Sequence, residues 1–362
     1  MSVKVKETVC KALYDDLKTV VEKDYFCKNT RKSFLITGGS GFIAYYMVLA
    51  LLCLNDEKNC GNHITILVRN EEKAKKKYGA LLERDDFGLL VQDVCKPMHD
   101  IDMVFDYIIH AASAASAQQF DADPIGVFNS NVIGTEHLID FIRRSPCKSM
   151  VYVSSFTVYG NGTGELKEIP ETYCGADDWS TNRSCYSLGK RSAEFLCMAA
   201  YRKYQCPIRI VRPGFVYGAS TPDDSRVYAQ IIRNVAENQP ITLQSAGLLF
   251  RSMVYVTDVV RGVFHVLFCG KDGEAYNVAN EFASIRGFAE RAVAAANSKD
   301  VRLEFVNQED AEKEVPTIPG GAMSIKKLCE SGWKPEVPLE LGIGMAAQIY
   351  ANAYLTKDAG AV

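Results

Sequence analysis

From Ser33 onward, short apolar runs alternate with longer stretches in which apolar residues recur at helical spacing. The runs are FLIT (34–37), ITILV (64–68), FGLLV (87–91), YIIH (107–110), MVYVSS (150–155) and IRIVRP (208–213). Each is apolar nearly throughout, as expected of a strand buried on both faces. The helical stretches between them lie near 42–54, 70–81, 124–144 and 184–204. This is the rhythm of βαβ units, and it predicts six parallel strands in a doubly wound sheet. Ahead of it, Val9, Leu13, Leu17, Val20 and Val21 mark residues 1–30 as a helical leader, expected on the outside of the domain or on a partner subunit. After Gly218 the alternation weakens to helices mixed with short strands such as ITLQ (241–244) and VRLEFV (301–306).

The first run leads into Thr37-Gly38-Gly39-Ser40-Gly41-Phe42-Ile43-Ala44 and then the apolar helix YYMVLALLCL. A glycine-rich turn between strand and helix lets the backbone approach a pyrophosphate, whose charge the first amides of the helix stabilise. Gly38, Gly39, Ser40, Gly41, Phe42 and Ile43 are therefore the expected diphosphate cradle, with Ala44 small enough to keep helix and strand close. The fold class expected is α/β: a Rossmann-type doubly wound parallel sheet over 31–218, with a smaller mixed C-terminal substrate lobe over 219–355 interleaved with it and a frayed tail at 356–362.

The second run ends at Val68-Arg69-Asn70, without the acid that holds the ribose of NAD in many such folds. Arg69 suits the 2′-phosphate of NADP, or stacks on adenine in an NAD enzyme, or is a solvated charge in a basic stretch with Lys73, Lys75, Lys76 and Lys77. Asp93, after the third run, is placed to accept from the adenine amino group or to cap its own loop.

Tyr186-Ser187-Leu188-Gly189-Lys190 opens the amphipathic stretch at 184–204, setting tyrosine and lysine one turn apart on one helix face. A phenol titrating near pH ~10 is a poor base, but an adjacent ammonium and an oxidised nicotinamide stabilise its phenolate. Tyr186 then takes a hydroxyl proton while hydride leaves, and Lys190 tunes it and holds the ribose. Ser155 and Thr157 stand where the fifth run ends, at the sheet edge that lines the ligand crevice in such folds. Either their hydroxyls bind the reacting oxygen or they cap the strand end.

Composition narrows the partners. A net charge of -3 and a pI near 6.0 argue against a nucleic-acid partner. The longest apolar stretch, about 47–54, is too short to span a bilayer, and the N-terminus lacks a signal-peptide core, so a cytoplasmic protein without a membrane partner is expected. The 12 cysteines show no C-x-x-C pair and read as reduced thiols, and the 5 histidines show no ligand spacing, so no metal is expected.

Taken together, these residues resemble an extended short-chain dehydrogenase/reductase of the NAD-dependent epimerase/dehydratase family, the group with nucleotide-sugar epimerases and UDP-glucuronate decarboxylases. The resemblance spans about 33–335 and rests on TGGSGFIA, Asp93, HAAS (110–113), Pro124, Asn131-Val132, Gly134-Thr135, SSFTVYG, YSLGK, VRPGFVYG, RSMVYVTD and GWKP. It implies a catalytic set of Ser155, Thr157, Tyr186 and Lys190. Val94, Ala111, Ala112, Asn131 and Pro213 would join the glycine turn, Arg69 and Asp93 around the cofactor. Ser113, Thr157, Phe215 and Arg251 would meet a nucleotide-sugar substrate, with Arg251 on its pyrophosphate. Phe215 departs from the family's usual asparagine.

Asn182–Tyr186 and Gly189–Arg191 are most like the decarboxylase branch, yet decarboxylases and dehydratases carry an acid where this chain has Thr157. Epimerases can have threonine there. The resemblance therefore implies an epimerase with tightly held NAD, working through a keto sugar. Alternatives are a UDP-glucuronate decarboxylase-like enzyme, an NADPH-dependent keto-sugar reductase and a non-catalytic dinucleotide-binding regulatory subunit. It also implies a homodimer paired through the helices at 124–144 and 184–204.

Overall fold

The computed structural model describes residues 3–99, 101–160, 166–307, 309 and 321–355. The expected tail at 356–362 lies outside the described residues. The sheet is built from β1 (Ser33–Thr37), β2 (His63–Val68), β3 (Phe87–Val91), β4 (Tyr107–His110) and β5 (Ser149–Val153), continued after the short β6 (Glu168–Ile169) by β7 (Ile208–Pro213). Further on come β8 (Phe215–Tyr217), β9 (Ile241–Leu243), β10 (Phe250–Tyr255), β11 (Ala275–Val278), β12 (Phe282–Ser284), β13 (Leu303–Phe305) and β14 (Ala322–Met323). Seven strands pair in the order β11-β7-β5-β4-β1-β2-β3, every pair parallel.

The six expected strands are all present, and β11 adds a seventh. Its polar Asn277 breaks the apolar run that would have announced it. Inside the fold that side chain is fully buried and satisfied: Tyr159 Oη donates to its Oδ1 at 2.6 Å, and its Nδ2 donates to the carbonyls of Ile169 and Ser324. The fifth strand stops at Val153, two residues earlier than its apolar run suggests, and Ser154-Ser155 lead into a 3-10 turn at Phe156–Tyr159. The helix expected at 70–81 ends at Tyr78 because Gly79 adopts φ +49° and ψ -129°, a conformation open to glycine that breaks the helix, and the chain continues as a 3-10 turn.

Helices cover both sheet faces. The leader forms α1 (Val5–Thr8), α2 (Lys11–Val21) and α3 (Asp24–Cys27), followed by α4 (Phe42–Lys58), α5 (Glu71–Tyr78), α6 (Ala117–Ala122), α7 (Pro124–Arg144) and α8 (Ser184–Tyr204). The C-terminal half adds α9 (Val227–Ala236), α10 (Val256–Cys269), α11 (Ile285–Ala295), α12 (Lys326–Glu330) and α13 (Leu339–Tyr354). Alternate strand residues separate the two cores. Phe34, Ile36, Ile66 and Val151 pack with α4, α10 and the leader, whereas Leu35, Ile108, Met150 and Ile210 pack under α7 and α8. The smaller lobe is mixed: β10 runs parallel to β8 and antiparallel to β12, beside the β9–β13 pair. No described helix is long and apolar enough to cross a membrane.

The leader differs from an appendage packed on the outside or on a partner subunit. α4 is buried continuously from Ala44 to Asn55, so it needs cover on the side away from the sheet, and α2 supplies it with Leu13, Leu17, Val20 and Val21. Polar contacts fix the seat. The buried Asp16 carboxylate accepts from Tyr255 Oη at 2.9 Å and Thr257 Oγ1 at 3.1 Å, and burial pushes its pKa up to about 6. Leu17→Ala is expected to cost about 2–5 kcal/mol, the range for opening a cavity in a packed core, measured as a shift in the urea midpoint. A loss below ~0.5 kcal/mol, as for a surface site, would contradict this seating.

Candidate active site

The strand ends of β1, β4 and β5 converge on one edge of the sheet, where the glycine turn begins. Gly38 has φ +68°, and a Cβ there would stand 2.6 Å from Ala112 Cα and 2.8 Å from the Ala111 carbonyl oxygen. A Cβ on Gly39 would stand 2.5 Å from the Ile66 side chain. Only glycine fits either position. Gly41 is the N-cap of α4 and no side chain among the described residues caps that helix start, so its first amides remain available to an anion. These features fit a dinucleotide's diphosphate.

His110 locks the floor of this edge. Its Nδ1 lies 2.8 Å from Thr37 Oγ1 and its Nε2 3.1 Å from Thr135 Oγ1, tying β1, β4 and α7 together. Burial holds the imidazole neutral, with its pKa pushed down to about 3. Val94 packs against Gly134, where a Cβ would come within 2.9 Å of it. Asn131 is fully buried and engaged inside the protein: Ser113 Oγ donates to its Oδ1 at 3.0 Å and Tyr152 Oη at 3.3 Å, while its Nδ2 donates to the Val127 carbonyl. Asp93 Oδ1 accepts from the Cys95 amide at 2.9 Å, a loop cap, and Arg69 is exposed at the end of β2. Pro213 closes β7 beside Gly214, whose amide donates to Val278.

The structure brings Ser155, Thr157, Tyr186 and Lys190 to the same edge. Lys190 is buried, donates to the Val153 carbonyl at 2.7 Å and lies 5.7 Å from the Tyr186 ring centroid. Burial pulls its pKa down to about 7, opposed by the charge of Glu194 one turn further along α8. Glu194 is itself held by both guanidinium arms of Arg212, at 2.9 and 2.6 Å. Burial raises the Tyr186 phenol above its ordinary range, and a hydrogen bond with Ser155 and the charge of Arg226 act in the opposite direction. Ser155 Oγ also accepts from the Thr157 amide at 3.2 Å. Thr157 Oγ1 is buried with no hydrogen-bond partner among the described residues.

On the other side of the cleft, Arg251 stacks on Phe215, its Cζ 4.8 Å from the ring centroid, and Phe215 packs on Phe156 at 4.2 Å between centroids. The phenylalanine that departs from the family pattern is thus a platform for the guanidinium. Arg226 escaped the sequence reading. Its Cζ lies 5.0 Å over the Phe42 ring of the glycine turn, and Asp224 accepts from its Nε at 3.0 Å. The Asp-Ser-Arg spacing just before α9 looks like an exposed charge pair, and only the fold carries it back across the turn. Phe120, stacked on Tyr186 at 5.2 Å, escaped for the same reason. No group of three or more His, Cys, Asp and Glu able to hold a metal ion occurs among the described residues.

The model of the NAD dependent epimerase/dehydratase family matches residues 34–279, and the chain belongs to that family. Among curated relatives, UDP-glucuronic acid decarboxylase 5 of Arabidopsis thaliana is 30% identical over 326 residues, covering 88% of this chain and 89% of that protein. UDP-glucuronic acid decarboxylase 1 of Danio rerio is 27% identical over 96% of this chain and 80% of its own length. Among solved structures, UDP-glucuronic acid 4-epimerase from Bacillus cereus, complexed with NAD and a fluorinated UDP-sugar, superposes with a TM-score of 0.73 at 22% identity, covering 89% of this chain and 100% of that one. That likeness establishes the shared fold.

Glu194→Gln is expected to destabilise the fold by about 3–5 kcal/mol, because it leaves the largely buried Arg212 without its carboxylate. Calorimetric melting checks this. An unchanged melting temperature would mean that solvent already compensates Arg212.

Proposed function

We propose that this chain is a nucleotide-sugar epimerase that uses NAD, the cofactor in its family's name. The observation that carries the reading is Thr157. A buried hydroxyl without a partner among the described residues is costly to fold, so its site favours a ligand that pairs with it. A hydroxyl there can hold a sugar oxygen, but it supplies neither the acid nor the base that dehydration requires.

In this reading Tyr186 Oη removes the proton from the sugar hydroxyl, while Ser155 and Thr157 hold the oxygen. The Lys190 ammonium and the Arg226 guanidinium stabilise the phenolate. Bound NAD supplies the hydride acceptor and, afterwards, the hydride. The keto sugar turns over in the cleft, and Tyr186 returns the proton to the opposite epimer. Arg251, held on Phe215, binds the substrate diphosphate. A second reading, decarboxylation of a nucleotide uronate, is favoured by the decarboxylase relatives and by Arg226, a cation beside Tyr186 suited to a sugar carboxylate. We assign the reaction to the cytoplasm, where the free thiols found at the described cysteines stay reduced.

Incubation with a panel of UDP-, CDP-, dTDP- and GDP-sugars, followed by mass spectrometry, tests the reading. An isobaric product means epimerisation, whereas loss of carbon dioxide means decarboxylation. Tyr186→Phe is expected to lower turnover by about 10²–10⁴-fold with dinucleotide still bound. Near-normal turnover would remove Tyr186 as the base.

The same reading makes α7 and α8 the pairing surface of a two-fold dimer, with Ile125 72% and Phe195 66% exposed in the single chain. Light scattering is expected to give a dimer mass, reduced to a monomer by Phe195→Glu. A monomeric wild-type protein at working concentration would reject the pairing.

A further inference from the structure

Lys77 is the last lysine of the basic stretch at 73–77, and it behaves unlike its neighbours. Lys75 pairs with Glu71 on the surface of its own helix at 2.9 Å. Lys77 instead leaves α5, reaches under the glycine turn, and donates to the carbonyls of Ser40 at 3.0 Å and Gly41 at 3.4 Å. The following residue does the same: Tyr78, fully packed in the core, donates from Oη to the Gly39 carbonyl at 2.6 Å. Three successive carbonyls of the turn are therefore held by the end of one helix. The ammonium also lies 4.6 Å over the Tyr45 ring, on the first turn of α4.

We infer that Lys77 belongs to the dinucleotide site, as the fixed cation beneath the glycine turn that favours the cofactor's diphosphate. The inference rests on the NAD reading above. Two effects follow from the geometry. The Gly41 carbonyl belongs to the same peptide unit as the Phe42 amide, the first of α4, so a charge on that carbonyl polarises the amide and strengthens it as a donor. The ammonium also adds a whole positive charge beside a helix start that by itself offers about half of one. Lys73 on the same helix and Asp223 on the loop before α9 face it with opposite signs. Burial brings its pKa down to about 8, so its charge is present at neutrality and lost in mild alkali.

The test uses the full chain stripped of cofactor, titrated calorimetrically with NAD, ADP-ribose and adenosine at pH 7 and pH 9. Wild type is expected to bind NAD and ADP-ribose several-fold more weakly at pH 9. Lys77→Met is expected to bind both about tenfold more weakly at pH 7, to show a smaller loss between pH 7 and pH 9, the remainder being that of Lys190, whose pKa of about 7 lies at the edge of the same range, and to bind adenosine as before. Lys77→Arg should recover most of the affinity. Unchanged affinity in Lys77→Met, or equal weakening of adenosine, would overturn the assignment and leave Lys77 a prop of the turn. Should Lys77→Met fail to fold, Lys77→Gln takes its place with the same expected losses, and unchanged affinity in that variant, or a flat wild-type profile, overturns the assignment. If wild type binds ADP-ribose but not NAD, the NAD reading fails while the Lys77 assignment stands, and binding of neither overturns both.

Discussion

Burying the Lys190 amine beside Tyr186 is the constraint around which this structure is arranged, since burial pulls its pKa down to about 7. Lys190 is buried against the end of β5, where solvent cannot stabilise an ammonium. Compensation comes in layers. The Val153 carbonyl takes one donor, Glu194 supplies an opposing charge, and Arg212 fixes Glu194 with two arms. Arg212 in turn donates to Tyr159 and to the Glu171 carbonyl, and Tyr159 donates to Asn277 of β11. A charge placed beside Tyr186 thus ties the sheet, α8 and the seventh strand into one network. Such a network is costly to break at any member and gives the site a single geometry.

The glycine turn is constrained from both sides. Above it, Gly38 and Gly39 touch the Ala111-Ala112 backbone and Ile66 so closely that no side chain fits. Beneath it, Tyr78 and Lys77 hold its carbonyls. Neutral His110 fixes the strand ends without adding charge to a crowded cationic region, since burial and the Lys190 ammonium both oppose its protonation. The turn is therefore shaped before any ligand arrives, so little entropy remains to be lost on binding.

The outer half of the cleft works differently. There, guanidinium groups lie on aromatic rings: Arg251 on Phe215, and Arg226 over Phe42 and near Tyr228. Asp224 holds the Nε side of Arg226 and the Phe250 carbonyl takes Nη1 of Arg251, so stacking and these bonds fix the two flat cations while their remaining edge donors suit phosphate or carboxylate oxygens. A rigid inner site beside a cationic outer one is the division that the proposed recycling of NAD against a nucleotide-sugar would need.

The sequence by itself determined the sheet and its reactive edge. Continuous apolar runs announce strands buried on both faces, a glycine turn between strand and helix suits a diphosphate, and residues four apart on a helix share a face. Those signals are local, so six strands and the Tyr186–Lys190 pair could be read without a fold. The tertiary structure decided what depends on distant partners. Asn277 sits in a strand only because Tyr159 and two carbonyls await it. The leader joins the core because α4 is apolar all round. Lys77 and Arg226 read as surface charges until the chain folds them onto the glycine turn. A polar residue's role is set by what it meets, and only the folded chain determines those meetings.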